Sequence, residues 1–337
     1  MRFILDTVIE SLEKELTVVL VTIVRSSGSA PRTSGARMLV HQDGSIVGTV
    51  GGGMLEGKCI DRARKLYGES AEHAGIDFSL TGADVASEGM VCGGAVSVLL
   101  QKVNSDAFET FLQLRQDFRE GLRPLLLTVL PAGEDPPQIM LCDKQATGSL
   151  GKEFVDRVNS KKGRSTYLAM AGELEVFVEP LISPGVVHLL GAGHVAMATA
   201  QLAEFVDFEV VVMDDREEFA NRERYPDAKE VRVIDSFDEC LGPLSANDYL
   251  IIVTRGHLHD QEVLAQGLRT NAGYIGMIGS KKKRDFVYQC LREEGFTESD
   301  FKRVYSPIGL SIGADTPDEI AMSIVSELVK VRSESGC

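Results

Sequence analysis

Apolar and polar positions alternate regularly through the second half of the chain. Short apolar runs predict five strands, near residues 186–190, 209–213, 231–234, 249–253 and 273–278. Helical spacing predicts four helices, near 194–206, 260–269, 281–295 and 317–332. Strands that alternate with helices build a parallel sheet covered on both faces, so this half is predicted to be a doubly wound, Rossmann-like α/β domain.

The first half has a less regular pattern. The apolar run Leu16–Arg25 predicts a buried strand, and Asp43-Gly44 between two apolar segments predicts a hairpin, because this dipeptide tolerates positive φ angles. Further strands are expected near 76–80, 95–103, 125–130, 139–143 and 174–179. Helices are expected near 54–67, 107–119 and 152–158, and the first 17 residues form an acidic amphipathic helix. This mixture indicates an α+β domain.

The two patterns are separated by the segment LISPG at residues 181–185, where proline and glycine together are typical of a linker. The predicted organisation is therefore an N-terminal α+β domain over residues 1–180, a linker over 181–185 and a Rossmann-like domain over 186–337.

Composition narrows the possible functions. A net charge of −15 over 337 residues argues against nucleic acid as a partner, because phosphate contacts require clustered Lys and Arg. No apolar stretch approaches the roughly 20 residues of a membrane span, and the first residues lack the profile of a signal peptide. The six cysteines form no CxxC pair, which favours neither a disulfide framework nor a structural zinc site. A cytoplasmic protein is expected.

The segment Val186–Asp214 carries a nucleotide-binding pattern. An apolar strand is followed by GAGHVA at residues 191–196, then by a helical segment and a second strand. Gly191 permits a tight turn, and Gly193 lets the backbone approach a phosphate at the helix N-terminus beside His194. Asp214 ends the second strand at the spacing of an acid that binds a ribose hydroxyl. The pattern predicts a bound nucleotide or pterin phosphate; the alternative is a Rossmann scaffold that has lost its ligand.

Glycine is concentrated in three segments of the first half, at residues 25–35 (RSSGSAPRTSG), 48–56 (GTVGGGMLE) and 89–94 (GMVCGG). Gly51, Gly52 and Gly53 precede a predicted helix and could form an anion-binding nest of N–H groups. Cys92 is flanked by glycines, so its thiolate could ligate a soft metal or carry sulfur. Tight turns and a buried, inert cysteine are the alternatives.

Two loops that follow predicted strands of the second half carry further candidates. In TRGHLHD, residues 254–260, Arg255 and His257 are placed for phosphate contact or proton transfer. The same run is a weak match to a zinc site, and Asp260 is expected simply to cap the next helix. Ser280 is either an N-cap or a second phosphate contact.

Together these motifs resemble the XdhC/CoxI family of accessory proteins for molybdenum hydroxylases, over nearly the whole chain. The resemblance rests on GSAPRTSGARMLV (28–40), GTVGGGMLE (48–56), MVCGG (90–94), LLGAGHVA (189–196), VTRGH (253–257), IGMIGSKKK (275–283) and PIGLSIGADTPDEIAMSI (307–324).

The resemblance implies a cofactor-binding chaperone. Such a protein holds the molybdenum cofactor (molybdopterin) during maturation, while its terminal sulfido ligand is installed, and delivers it to a xanthine dehydrogenase-like apo-enzyme. Cys92 matches the cysteine of the family's CGG motif, the candidate contact to molybdenum or transferred sulfur. The second cysteine of some relatives has no counterpart, since Cys59 lies five residues beyond the GGGM segment. A cysteine desulfurase is a further candidate partner, and a homodimer is expected.

The physical requirements of such a cargo match the predicted sites. Its phosphate tail needs the N–H groups of the Gly191–Ala196 loop and its metal needs the thiol, so the predicted location is the crevice between the two domains. Two other classes of function stay open. One is an NAD-dependent oxidoreductase, with Asp214 favouring NAD over NADP, and the other is an assembly module without a small ligand.

Overall fold

The computed structural model describes residues 2–28, 32–51, 53–79, 94–120, 122–133, 135–161, 163, 165–181 and 185–334, without the side chains of Arg2, Phe3, Arg119, Lys144 and His257. The chain forms two compact units, Met1–Ile182 and Ser183–Cys337. Residues 182–184 of the predicted linker lie outside the described residues.

The first sheet of the N-terminal unit is antiparallel and has the order β3-β2-β1-β5-β4. Its strands are β1 (Val18–Gly28), β2 (Arg37–Val40), β3 (Ile46–Gly48), β4 (His73–Ser79) and β5 (Gly94–Val103). Helix α1 (Arg2–Glu13) packs on one face and helix α2 (Met54–Tyr67) on the other. Because both faces are covered, β1 is apolar at successive positions, as its continuous hydrophobic run predicts.

The second sheet of this unit is also antiparallel and has the order β7-β6-β9-β8. Its strands are β6 (Leu125–Val129), β7 (Gln138–Leu141), β8 (Tyr167–Ala171) and β9 (Leu174–Pro180). A 3-10 turn at Ser105–Ala107 leads into helix α3 (Phe108–Arg119), and helices α4 (Lys144–Leu150) and α5 (Lys152–Ser160) follow β7. Helix α4 and strand β8 were not predicted, since neither has a clear apolar period.

A buried ion pair joins the two sheets. The guanidinium of Arg37 on β2 contacts the carboxylate of Glu179 on β9, and their side chains are only 4% and 1% exposed. Burial raises the pKa of Glu179 above its ordinary value, and Arg37 opposes that shift. A charge in this position is tolerated only because its partner neutralises it.

The C-terminal unit is a six-stranded parallel sheet with the order β12-β11-β10-β13-β14-β15. Its strands are β10 (Val186–Leu190), β11 (Glu209–Asp214), β12 (Glu230–Val233), β13 (Asp248–Ile252), β14 (Tyr274–Met277) and β15 (Val304–Tyr305). Its helices are α6 (His194–Phe205), α7 (His257–Leu268), α8 (Lys281–Glu293), α9 (Glu298–Phe301) and α10 (Pro317–Glu334). The predicted doubly wound Rossmann-like sheet is confirmed, with buried clusters on both faces.

This strand order determines where a ligand can enter. The chain winds one way from β10 to β12 and the other way from β13 to β15, so the switch point lies between β10 and β13. Ligands of open α/β sheets bind beyond the carboxyl ends of the strands at such a point. The two short elements α9 and β15 were not predicted, because four and two residues are too few to show a period.

The start of α10 agrees with its sequence signal. Glu319 N donates to Thr316 Oγ1 over 3.3 Å, and Thr316 N donates to the Glu319 carboxylate over 3.0 Å. These two bonds form a capping box, which a threonine three residues before a glutamate indicates in a sequence. Within the part of the chain that the structure describes, no helix is both long and apolar enough to cross a membrane.

The ion pair between the sheets generates a stability prediction. Arg37→Met leaves Glu179 buried without its counter-charge, so the free energy of unfolding in urea should fall by about 3–5 kcal/mol. The double variant Arg37→Met/Glu179→Met should recover most of that loss, because it removes the uncompensated charge. A double variant as unstable as the single one would contradict this account.

Candidate functional site

The turn after β10 brings two strands unusually close together. Gly191 has a φ angle of +105°, and a Cβ atom on it would stand 2.4 Å from the carbonyl oxygen of Val253. Gly191 N also donates to Met213 O over 2.8 Å. A side chain at this position would strain the backbone and collide with the loop after β13, so glycine is required.

Gly193 has a different role in the same motif. It is the N-cap residue of α6, has an ordinary φ angle of −73°, and has no side chain bonded across the helix end. A Cβ atom on Gly193 would meet no described atom within 4 Å, so space is open above it. The first N–H groups of α6 and the positive end of its dipole therefore face an open volume that suits an anion.

His194 is the first residue of α6, and it is exposed beside this helix end. The predicted phosphate site is thus built from backbone, with one imidazole at its rim. The contact to a phosphate itself stays a prediction.

Asp214 is almost fully buried at the end of β11, with 1% of its surface exposed. One carboxylate oxygen accepts Ala192 N over 2.7 Å, and Arg216 binds both oxygens at 2.8 and 3.0 Å. Burial alone would raise the pKa of Asp214, but the hydrogen bonds from Arg216 and Ala192 outweigh it and lower the pKa. A ribose hydroxyl would have to compete with Arg216 for this carboxylate, so the predicted ribose contact stays a prediction.

The loop after β13 leads into a second helix end without a side-chain cap. Gly256 is the N-cap of α7, with a φ angle of +95° and open space around its Cβ position. The side chain of Arg255 is 64% exposed, and its guanidinium lies 3.6 Å from the Asp215 carboxylate. His257 is the first residue of α7, and its side chain lies outside the described residues.

The expectation that Asp260 caps this helix is wrong, because α7 begins three residues earlier than its apolar pattern indicates. Asp260 is instead a fully buried helical residue that accepts the Thr254 hydroxyl and pairs with the Lys283 ammonium group. Burial raises the pKa of Asp260, and Lys283 and Thr254 oppose the shift. These contacts tie the β13 loop to α8.

Sequence reasoning missed Lys283 and Arg216, which hold the two buried carboxylates of this edge. Lys283 belongs to the basic run KKKR, and nothing in this run indicates that the side chain of Lys283 points into the protein. Ser280 has the simpler of its two predicted roles, as N-cap of α8, where its Oγ accepts Lys283 N over 3.2 Å.

The glycine segment before α2 has the unusual backbone that its composition indicates. Gly51 and Gly53 have φ angles of +111° and +62°, and Gly52 lies outside the described residues. Thr49 Oγ1 accepts Gly51 N over 3.1 Å and donates to the Glu56 carboxylate in the first turn of α2. One N–H is therefore already bonded, and a negative charge stands beside the predicted nest.

Of the two cysteines discussed above, the structure describes only Cys59. Cys92 lies outside the described residues, which resume at Gly94. Cys59 is fully buried on α2, and burial raises the pKa of its thiol to about 12, so it is protonated at neutral pH. The described ranges contain no group of three or more His, Cys, Asp or Glu side chains that could hold a metal ion.

Fold and site together define a Rossmann-type α/β protein with helix ends open to an anion. A model described as the XdhC Rossmann domain matches residues 187–328, and one described as the XdhC and CoxI family matches residues 11–74. The two matches cover more than half of the chain. The protein belongs to the XdhC and CoxI family, which confirms the resemblance found in the sequence.

Three curated relatives resemble nearly the whole chain. YqeB of Escherichia coli K12, whose name assigns no function, is 27% identical over 96% of this chain, which spans 45% of that protein. A Bacillus subtilis 168 protein, named as a probable subunit of xanthine dehydrogenase, is 26% identical, over 97% of this chain and 96% of its own. The molybdenum cofactor insertion chaperone PaoD of Escherichia coli K12 is 22% identical, over 98% and 88%.

One solved structure shares the fold throughout. A Bacillus halodurans protein, described as a xanthine dehydrogenase, is similar with a TM-score of 0.78 and 26% identity. The similarity covers 97% of this chain and 96% of that one.

The carboxylate of Asp214 generates a pH-dependent prediction. Asp214→Asn should lower the free energy of unfolding by about 2 kcal/mol at pH 7, because it replaces charged hydrogen bonds with neutral ones. A depressed pKa stabilises the fold above the unfolded value of about 3.9. That contribution is lost as the pH falls through the folded pKa.

The measurement is urea unfolding of both proteins from pH 7 downward. The difference between them should narrow below about pH 4, near the unfolded pKa. Asp43→Asn is a suitable control, since Asp43 also has a lowered pKa but lies on an exposed turn. A difference that stays constant with pH would contradict the role of the charge.

Proposed function

We propose that this protein binds the molybdenum cofactor during its maturation and delivers it to an apo-hydroxylase of the xanthine dehydrogenase type. Family membership supports the proposal, as do the names of two relatives, which describe a cofactor insertion chaperone and part of a xanthine dehydrogenase. The cofactor is cargo here, so the protein has to bind it and later release it.

The observation that carries the proposal is the uncapped N-terminus of α6. Gly193 leaves the first N–H groups of the helix without a side-chain partner and leaves open space above them. The phosphate tail of the cofactor is an anion of the kind that such a helix end binds. Gly256 on α7 offers a second uncapped end, next to the exposed Arg255.

Cys92 is the proposed contact for the metal end of the cargo. A thiolate is a soft ligand that suits molybdenum, and it can also accept and pass on sulfur. Cys59 is a poor substitute, because its buried thiol is held in the protonated form. A cysteine desulfurase is the proposed sulfur donor, and the hydroxylase is the proposed acceptor of the finished cofactor.

The NAD-dependent alternative has less support. In dinucleotide sites an acid at the end of the second strand binds the ribose. Both oxygens of Asp214 are bonded to the Arg216 guanidinium, and each also accepts a backbone N–H, one from Ala192 and one from Arg216. A dinucleotide would have to displace this buried ion pair, whereas a phosphate at Gly193 would not.

The helix end can be blocked by one substitution. Gly193→Asp puts a carboxylate at the N-cap, where it accepts the free N–H groups and repels an incoming phosphate. An Asp N-cap is favourable for a helix, so folding should be preserved or improved. Protein purified from a host that makes the cofactor should retain about tenfold less molybdenum and pterin per chain.

Gly242→Asp is the matched control, because it adds the same charge at an exposed glycine of the same unit with open space around it. It should retain cofactor like the wild type. Equal retention by Gly193→Asp and the wild type would mean that the cargo does not use this helix end. Absence of molybdenum and pterin from the wild-type protein would defeat the proposal as a whole.

The thiol can be tested separately from the phosphate site. Cys92→Ser should still retain the pterin, yet activation of an apo-hydroxylase by the loaded protein should fall sharply, because a hydroxyl neither ligates molybdenum as softly nor carries sulfur. Cys59→Ala is the control and should activate normally. Full activation by Cys92→Ser would remove the thiol from the mechanism.

A further inference from the structure

The N-terminal unit contains a pocket of about 430 Å³, which is separate from the predicted phosphate site of the C-terminal unit. It lies where the end of β1 and the start of β5 meet β8 and β9. Its walls include Arg25, Ser26, Ser27 and Ser34, from the glycine- and serine-rich segment at residues 25–35, and the first residues of β5. The glycine content of this segment indicates a site, but the segment has no role in the sites described above.

A β-bulge shapes the floor of the pocket. Ile23 pairs with Val98 and Arg25 pairs with Ser97, so Val24 is an extra residue on β1. Val24 packs with Phe177 in a small apolar cluster, and Leu168 packs against it. The floor is therefore apolar, with Phe177 fully buried beneath it. Bulges are common beside binding sites.

The rim of the pocket is polar and rich in hydroxyl groups. Ser26 Oγ and Ser34 Oγ lie 3.1 Å apart, and Ser34 N donates to Ser26 Oγ over 3.1 Å. Ser97 Oγ donates to Asp77 Oδ1 over 2.7 Å, and Ser27 also lines the pocket. Ser97 Oγ can still accept a hydrogen bond, and the Ser26–Ser34 pair uses only one of its two hydroxyl protons, so this rim suits a ligand edge that mixes donors and acceptors.

The charge of the pocket is balanced. Arg25, the basic residue among those that line it, forms an ion pair with Glu175 on β9. A guanidinium that is already neutralised has little attraction left for an anion. The pocket is also too large for a bare oxyanion and falls in the range of small-molecule sites. These features favour a flat, uncharged heterocycle with a hydrogen-bonding edge.

We propose that this pocket binds the fused pterin ring of the cargo, with its face on the partly exposed Leu168 of the apolar floor and its polar edge on the serine hydroxyls. The inference rests on the proposed function, which supplies a pterin among the possible heterocycles.

The test uses the full chain and 6-hydroxymethylpterin, whose own fluorescence reports binding. The wild type should bind it saturably. Ala95→Trp fills the pocket from an exposed position, and it should weaken pterin binding by at least about tenfold.

The double variant Ser34→Ala/Ser97→Ala removes two rim hydroxyls and should weaken pterin binding by at least about fivefold. Ser70→Ala, an exposed serine of the same unit, should bind like the wild type.

Guanosine and molybdate are the competing ligands. Displacement of the pterin by guanosine at equal concentration, or saturable binding of molybdate with none of pterin, would overturn the inference. Wild-type affinity in Ala95→Trp would also overturn it, because the ring would then bind elsewhere.

The two proposals fail in different ways. A wild-type protein that retains molybdenum from the producing host but does not bind free pterin leaves the chaperone role standing and removes this pocket from it. A protein that retains no cofactor and binds no pterin loses both.

Discussion

The C-terminal unit depends on how closely β10 and β13 approach at their carboxyl ends. Gly191 lies against the backbone of Val253 with no room for a side chain. Because the turn is this tight, α6 starts directly above the switch point of the sheet, and Gly193 leaves its first N–H groups open. The buried carboxylate of Asp214 then holds Ala192 of the same turn. The uncapped helix end with open space at Gly193 follows from this packing.

Electrostatics explain why the proposed anion site is built from backbone groups. A chain with a net charge of −15 repels an anion at long range, so binding requires strong local donors. The ends of α6 and α7 provide them without adding lysines or arginines that would pair with nearby acids. Lys283 and Arg216 are examples of such pairing, since each forms an ion pair with a buried carboxylate. The glycine segment before α2 is less favourable, because Glu56 occupies its vicinity.

The N-terminal unit reaches a similar result by other means. Its two antiparallel sheets are joined by Arg37 and Glu179 in the interior and by Arg25 and Glu175 nearer the surface. In each pair the arginine and the glutamate neutralise each other. The pocket between the sheets is therefore lined by hydroxyl groups without a net charge. The proposed ring pocket and the proposed anion site therefore differ in their electrostatics, and each lies within one unit.

The sequence alone determined the class of fold, because apolar periodicity reports burial directly and the C-terminal sheet buries both faces. It also identified the Gly191 turn and the α10 capping box, whose residue types have few other uses. It did not reveal β8, β15, or the inward Lys283, since these depend on contacts between residues far apart in the chain. Only the tertiary structure decided that Asp260 is buried in a helix, that Asp214 is bonded to Arg216, and that a bulge at Val24 opens a pocket. Local propensity does not encode these features, because Asp260 meets Lys283 and Val24 meets Phe177 only in the fold, and the Asp214–Arg216 pair depends on the burial that the sheet provides.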